Sequence, residues 1–160
     1  MKKIYIAILV VAVLLLGQIG VFAAPDTLGL DAAGNTTGLV VVTRPQNQKD
    51  STFEESYIIS GYGKEGTVVT LYYVDTENEC YTKFYNEMQY IDVNGASQVI
   101  KTPSEVTIGT SGLFMNPITL AQGENSILVR AERDGDVQMM KLSVTKYNYN
   151  IIDLIKSLTD

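Results

Sequence analysis

Any chemistry in this chain has to be done without histidine, because its 160 residues contain none. That removes the most frequent general base, proton shuttle and metal ligand at once. The single cysteine, Cys80, allows neither an internal disulfide nor a thiolate zinc cluster. It reads as a reactive or bridging thiol, or as a small side chain buried or half buried in the fold, and its neighbours Glu77 and Glu79 work against a thiolate. Asp75, Glu77 and Glu79 stand at every second residue, which on a strand projects the carboxylates from one face. Such spacing suits a hard cation such as calcium, or a solvated acidic edge that discourages strand pairing. The glycine and distal glutamate of an EF-hand loop are missing, and the Asp134-Gly135-Asp136 turn carries the same two readings. No G-x-S-x-G elbow and no phosphate-cradling glycine loop is present. A carboxylate pair for glycoside hydrolysis would need a fixed separation inside a cleft. The expectation is a protein with no catalytic residue, no metal and no cofactor.

Recognition is the chemistry that remains. The chain has ten tyrosines and no tryptophan. Tyr72, Tyr81, Tyr85 and Tyr90, with Phe84, crowd into one stretch and are the candidate ligand-binding residues. Exposed together they would form an aromatic platform for stacking on sugars or anchoring a protein. Packed inward they would be a small local cluster. The lack of tryptophan weakens the sugar version. A net charge of −6 argues against nucleic acid, where basic patches supply most of the affinity. The expected partner is a protein or a cell-wall glycan.

The elements that position these residues begin after residue 23. Lys2 and Lys3 precede the apolar run Ile4 to Leu16, and Val21-Phe22-Ala23 closes it in the manner of a secretory signal peptide, residues 1–23. The run is short for a membrane span of about 20 residues, which an uncleaved anchor would need. Contact with a membrane is then only transient, and the product is secreted or displayed at the cell surface. No cysteine follows the run to accept a lipid. Loss of Lys2 and Lys3 leaves 10 basic against 18 acidic side chains, a charge of −8. Residues 24–38 are small, polar and glycine-dotted and read as a flexible linker. Asn35-Thr36-Thr37 is a glycosylation sequon that a bacterial secretory chain would leave unused.

From Leu39 onward the chain alternates in the manner of half-buried strands. Leu39 to Thr43 is a first strand, stopped at Arg44-Pro45, and 46–55 is a polar connection. Ser56 to Tyr73 reads as strand, glycine corner and strand, with Tyr57 and Ile59 on one face of the first, Val69, Leu71 and Tyr73 on one face of the second and Val68, Thr70 and Tyr72 on its other, and Gly61 marking a close backbone approach. In Asp75 to Ser104 the sequence suggests a β-hairpin, with strands near Cys80–Glu87 and Gln89–Val93, a turn at Asn94-Gly95 and a short strand at 98–101. A helix over Glu79 to Met88 fits its spacing as an alternative. Glu105 to Ile108, Leu113 to Leu120, Asn125 to Arg133 and Val137 to Tyr147 complete the set, the last two joined by the tight turn Asp134-Gly135. In the tail 148–160, Ile151, Ile155 and Leu158 fall on one face of a short C-terminal helix. The whole is an all-β chain, an antiparallel β-sandwich of about seven strands with an inserted hairpin at 75–104.

Val42-Thr43-Arg44-Pro45, Ser56 to Gly61 and Glu65-Gly66-Thr67-Val68-Val69-Thr70-Leu71-Tyr72 resemble the VTxP, VTISG and PGTTVTLY strands of bacterial Ig-like domains of the glucodextranase-B-like kind. Leu120-x-x-Gly123-x-Asn125-x-Ile127-x-Val129-x-Ala131 is similar to their LxxGxNxIxVxA strand. The resemblance covers 39–146. Glu65 stands where the family has proline, and Asp75 to Ser104 is far longer than its short link. The resemblance implies an Ig-like sandwich acting as a non-catalytic accessory or spacer module on a secreted or surface protein. Some such modules bind polysaccharide or peptidoglycan, and the resemblance carries over no catalytic residue. A third expectation is structural, with self-assembly or partner docking through an edge strand or the 151–158 tail.

Overall fold

The computed structural model describes residues 24–148. The leader reading at 1–23 and the helical reading at 151–158 lie outside the described residues. The chain is all-β. Its strands are β1 (Thr27–Gly29), β2 (Val40–Arg44), β3 (Lys49–Thr52), β4 (Ser56–Gly63), β5 (Val68–Asp75), β6 (Cys80–Lys83), β7 (Tyr85–Ile91), β8 (Ser97–Pro103), β9 (Glu105–Thr107), β10 (Leu113–Thr119), β11 (Gly123–Arg133) and β12 (Asp136–Lys146). They form a seven-stranded sheet ordered β1-β6-β5-β11-β12-β3, with β9 also on β5, a three-stranded sheet ordered β10-β4-β2, and a separate β7-β8 ribbon. Every pairing is antiparallel except that of β3 with β12.

Alternation decides what the two larger sheets put between them. Tyr57, Ile59, Phe114 and Ile118 point in from the three-stranded sheet, and Val69, Leu71, Ile127, Val129, Ala131, Leu142 and Val144 from the seven-stranded one. All are buried, and the architecture is sandwich-like. Gly61 sits where a Cβ would collide with the Val41 carbonyl oxygen and the Phe114 ring, so a side chain there would separate β2 from β4. Gln138 closes one side of the core: its Oε1 accepts from the Leu39 and Val40 amides at 2.7 and 3.0 Å, and its Nε2 donates to the Val40 carbonyl at 3.0 Å. The corner before β11 is held by Asn125, whose Nδ2 donates to the carbonyls of Ala121, Gly123 and Val144 while its Oδ1 accepts from the Ala121 amide. Gly123, at φ +90°, takes the conformation that this corner requires.

Several segments fold differently from their sequence reading. The two strands of Ser56 to Tyr73 do not pair with each other. They lie in different sheets, joined by a corner where Gly66 has φ +80° and the Gly66 amide donates to the Ile108 carbonyl. The 46–55 connection contains a short 3-10 turn and β3, which extends the edge beside β12. Residues 80–83 and 85–88 are strand and Glu79 belongs to a turn, so no helix forms there, and the inserted hairpin runs 85–91 and 97–103, with β6 instead joining β5. The 24–38 segment, polar enough to read as a linker, is a packed strap. β1 pairs with β6, and Asn35 reaches β12, its amide donating to the Val137 carbonyl and its Oδ1 accepting from the Val137 amide. Its polarity misled because the strap is secured by hydrogen bonds more than by apolar burial. These added strands raise the count above the expected seven.

Candidate recognition surfaces

The insertion leaves the body at one point on the edge of β5. Along that edge β6 pairs with Tyr72 to Asp75 and β9 with Val68 to Thr70. Between them, at Leu71, the ladder is handed over: the Phe84 amide donates to the Leu71 carbonyl, the Leu71 amide to the Ser104 carbonyl, and the Ser104 amide to the Phe84 carbonyl. β7 and β8 project from this root as a finger in which every residue is exposed. The Ser104 hydroxyl donates to Asn116 Oδ1 at 2.6 Å, tying the root to β10 in the other sheet.

The finger is apolar on both faces. Register places Met88 opposite Ile100 and Tyr90 opposite Gln98 on one face, with Ile91 and Val99 on the other. Met88 is 68% exposed and Ile91 75%. Its charged side chains are Glu87 and Lys101, paired at 2.8 Å, and Asp92 at the tip. Asp92 Oδ1 accepts from the Asn94 and Ala96 amides, which orders the turn and leaves Val93 fully exposed at its apex. Those amides, Ala96 first, hold the Asp92 carboxyl below its usual range.

The five aromatic residues singled out by the sequence do not share one platform. Tyr72 and Tyr81 are buried with Leu128 on the outer face of the seven-stranded sheet, where Leu28 of the strap, Val74 and Met139 pack against them. Tyr72 Oη donates to the Pro25 carbonyl at 2.8 Å, and burial pushes its hydroxyl well above the usual tyrosine range. Phe84 packs against the main core and meets Tyr73 edge to face at 5.2 Å. Tyr85 stands at the finger root and donates to Asp26 of the strap at 2.8 Å. Tyr90 alone of the five lies out along the finger, bonded to Gln98 at 3.1 Å. The strap that hides Tyr72 explains the difference: alternation placed Tyr72 outward from the sandwich, and residues far upstream then covered that face.

Lys83 completes this cover. Its ammonium is buried, donates to the Ala24 carbonyl oxygen and lies 3.2 Å from the largely exposed Asp26 carboxylate. The hydrogen bond from Tyr85, followed by Lys83, lowers the Asp26 pKa. A second acidic anchor lies at β3, where Tyr57 Oη donates to Asp50 at 2.7 Å beneath the Arg44 guanidinium. Burial, then Asp50, pushes the Tyr57 hydroxyl up to about 12.

Asp75, Glu77 and Glu79 do not share a strand face, because residues 76–79 form the turn between β5 and β6. Asp75 caps the β5–β6 turn, accepting from the Glu77 and Asn78 amides and from Asn78 Nδ2, and the Asn78 side chain leads the causes that depress its pKa. Among the described residues no group of three or more His, Cys, Asp or Glu side chains could hold a metal ion. Cys80 is half buried, its Sγ 3.7 Å from Thr82 Oγ1. An open hollow of about 410 Å³ lies between Tyr73, Phe84, Thr119 and Asn125, with one lining carboxylate, Glu124, which accepts from Ser143.

Sequence reasoning missed Met88, Ile91, Val93, Val99 and Ile100, the apolar residues that the finger exposes. Their signal was alternation over 85–103 with apolar residues in both phases, which no single buried face can satisfy. It also missed an apolar surface on the body, the outer face of the three-stranded sheet. There Val41, Ile58, Tyr62, Leu113, Met115 and Pro117 are exposed side by side. No protein-family model matches the chain, and no curated protein matches it.

Proposed function

We propose that the chain is a secreted bacterial Ig-like module, exported through residues 1–23, that binds or spaces at the cell surface without catalysing, and that its recognition element is the β7–β8 finger. The observation that carries this reading is the exposure of apolar side chains on both faces of a two-stranded ribbon. Such a ribbon is at best marginally stable by itself in water, and exposed apolar area of this kind marks interaction sites. The Asp92 cap and the Glu87–Lys101 pair keep it extended enough to present Met88, Tyr90, Ile91 and Val93. The partner that fits is a protein surface with an apolar groove. Tyr85 and Tyr90, on opposite faces of the ribbon by alternation, provide no shared stacking plane for a sugar. The strand motifs shared with glucodextranase-B-like Ig domains support the accessory-module reading.

The root geometry supplies the test. Because Phe84 and Ser104 are backbone neighbours, residues 85–103 can be replaced by an Asn-Gly turn without disturbing β5. Purified chain from residue 24 onward, with and without the finger, is titrated onto intact cells, protease-shaved cells and isolated peptidoglycan. Retention that needs both the finger and surface protein supports the proposal. Equal retention without the finger overturns it, and finger-dependent retention on peptidoglycan would reassign the module to glycan.

A further inference from the structure

One face of the finger carries no charge. Met88 stands there opposite Ile100, Tyr90 opposite Gln98 and Asn86 opposite Thr102, while Glu87 and Lys101 lie on the reverse. Met88 and Ile100 are both exposed and make an apolar ridge across the ribbon. The body has a surface of the opposite shape. On the outer face of the three-stranded sheet the outward side chains of β4 and β10 are uncharged, and β2 adds Val41 and Thr43. Between Ile58 and Tyr62 the row drops to Ser60, which lies beside Met115. The result is a depression of about 440 Å³ lined by Thr43, Ser60, Leu113 and Met115.

The ridge does not enter the hollow of its own chain. The finger leaves from the edge of β5, and Ser104 at its root is tied to the buried Asn116 of β10. Every residue of β7 and β8 is exposed, and so are Tyr62, Leu113 and Met115. Among the described residues, then, neither surface is covered. Charge favours bringing the two together between copies. The chain has 12 basic and 18 acidic side chains, so like charges oppose most approaches of one copy to another. Ridge and hollow are free of charge, as the centre of a protein interface is.

Size agrees. Two strands of seven residues give the ridge face a footprint of ~24 Å by ~10 Å. The sheet face, three strands wide and ~20 Å long, offers on the order of 300 Å². One such contact is well short of the ~800 Å² that each partner buries in a stable dimer. Each copy makes it twice, however, once with its finger and once with its face. Because the two surfaces differ, the contact is head to tail and leaves one of each free at the ends of an assembly. Resting on the reading of the finger as the recognition element, we infer that the apolar groove it enters is the outer face of the three-stranded sheet of a second copy of this chain, with Met88 and Ile100 seated in the hollow beside Met115.

Sedimentation of the chain from residue 24 onward, between ~10 μM and ~1 mM, tests this, since so small a contact gives weak association. The sedimentation coefficient should rise with concentration. Two variants each remove one surface. Replacing 85–103 by an Asn-Gly turn leaves only the face, and Met115→Glu leaves only the finger. Each alone should stay monomeric, and mixed they should form a pair of one each and nothing larger. A strict monomer throughout the range overturns the inference. So does association that survives either change, or a mixture of the two folded variants that forms no pair. If the shortened chain fails to fold, Met88→Glu with Ile100→Glu in the intact finger takes its place. The two readings fail separately. A strict monomer that still needs its finger for retention on cells overturns self-association alone. A chain that pairs finger to face yet is retained on cells equally without its finger overturns only the cell-surface reading.

Discussion

On the outer face of the seven-stranded sheet Tyr72, Tyr81 and Leu128 are buried beneath the strap, whereas on the outer face of the three-stranded sheet Val41, Ile58, Tyr62, Leu113 and Met115 are exposed. Both faces are made by the same alternation. What separates them is chain far away in sequence: Ala24 to Asn35 returns across the first face and is held there by Lys83, Tyr72, Tyr85 and the backbone of β12. The first face has become a second core, and the second is a surface. An apolar residue on the outside of a strand therefore tells little by itself; whether a later or earlier segment covers it sets its energetic weight.

That contrast can be broken in order of size. Leu128→Ala removes a fully buried side chain and is expected to cost about 2–5 kcal/mol, read as a lowered midpoint in urea. Met115→Ala, on the uncovered face, should change stability by no more than about 0.5 kcal/mol if that face is only a surface. A larger loss would show that Met115 is covered. Next comes Tyr72→Phe, which keeps the ring and leaves the Pro25 carbonyl without its donor. The expected cost is about 1 kcal/mol, accompanied by faster amide exchange at Thr27 to Gly29.

Acid should act on the strap through Asp26, and separately on β3 and β4 through Asp50, whose pKa the hydrogen bond from Tyr57 lowers. The Asp26 pKa is depressed in the fold, so its contribution is complete above the ordinary carboxylate pKa of about 4 and is lost as pH falls through the depressed value. Exchange of the β1 amides should therefore quicken below pH ~4, and Asp26→Asn should remove this response at β1 while β4, beside Asp50, keeps its own. A response of β1 that survives Asp26→Asn would mean that the strap is not a separable cover. The finger stands apart from both faces. Replacing 85–103 by an Asn-Gly turn should shift stability by less than about 1 kcal/mol, because an isolated ribbon adds little, and a thermal melt reads it. A larger loss would show that the Ser104–Asn116 link depends on the finger above it.

Much of the fold is legible in the residues. Ile127, Val129 and Ala131 with Met140, Leu142 and Val144 give β11 and β12, and Asp134-Gly135 gives their turn, with φ +54° and +88°. Asn125 and Gly123 give the corner before them. The candidate site is less legible. The insertion could be located from its aromatic residues and its Asn-Gly turn, yet Tyr72 and Tyr81 proved to be buried, and the exposed set is mostly aliphatic.

The sequence by itself determined most strands of the sandwich body, the alternation within each, and which chemistries lack their groups, because periodicity and composition are local properties; the polar strands β1 and β3 carry no such period. It could not determine that β4 and β5 part into different sheets, that β6 and β9 share one edge of β5 with the finger between them, or that one outer face is covered and the other open. Those follow from hydrogen bonds between residues as far apart as Asn35 and Val137, or Tyr72 and Pro25. Backbone donors and acceptors find such partners only once the chain is assembled, and no local pattern encodes the choice.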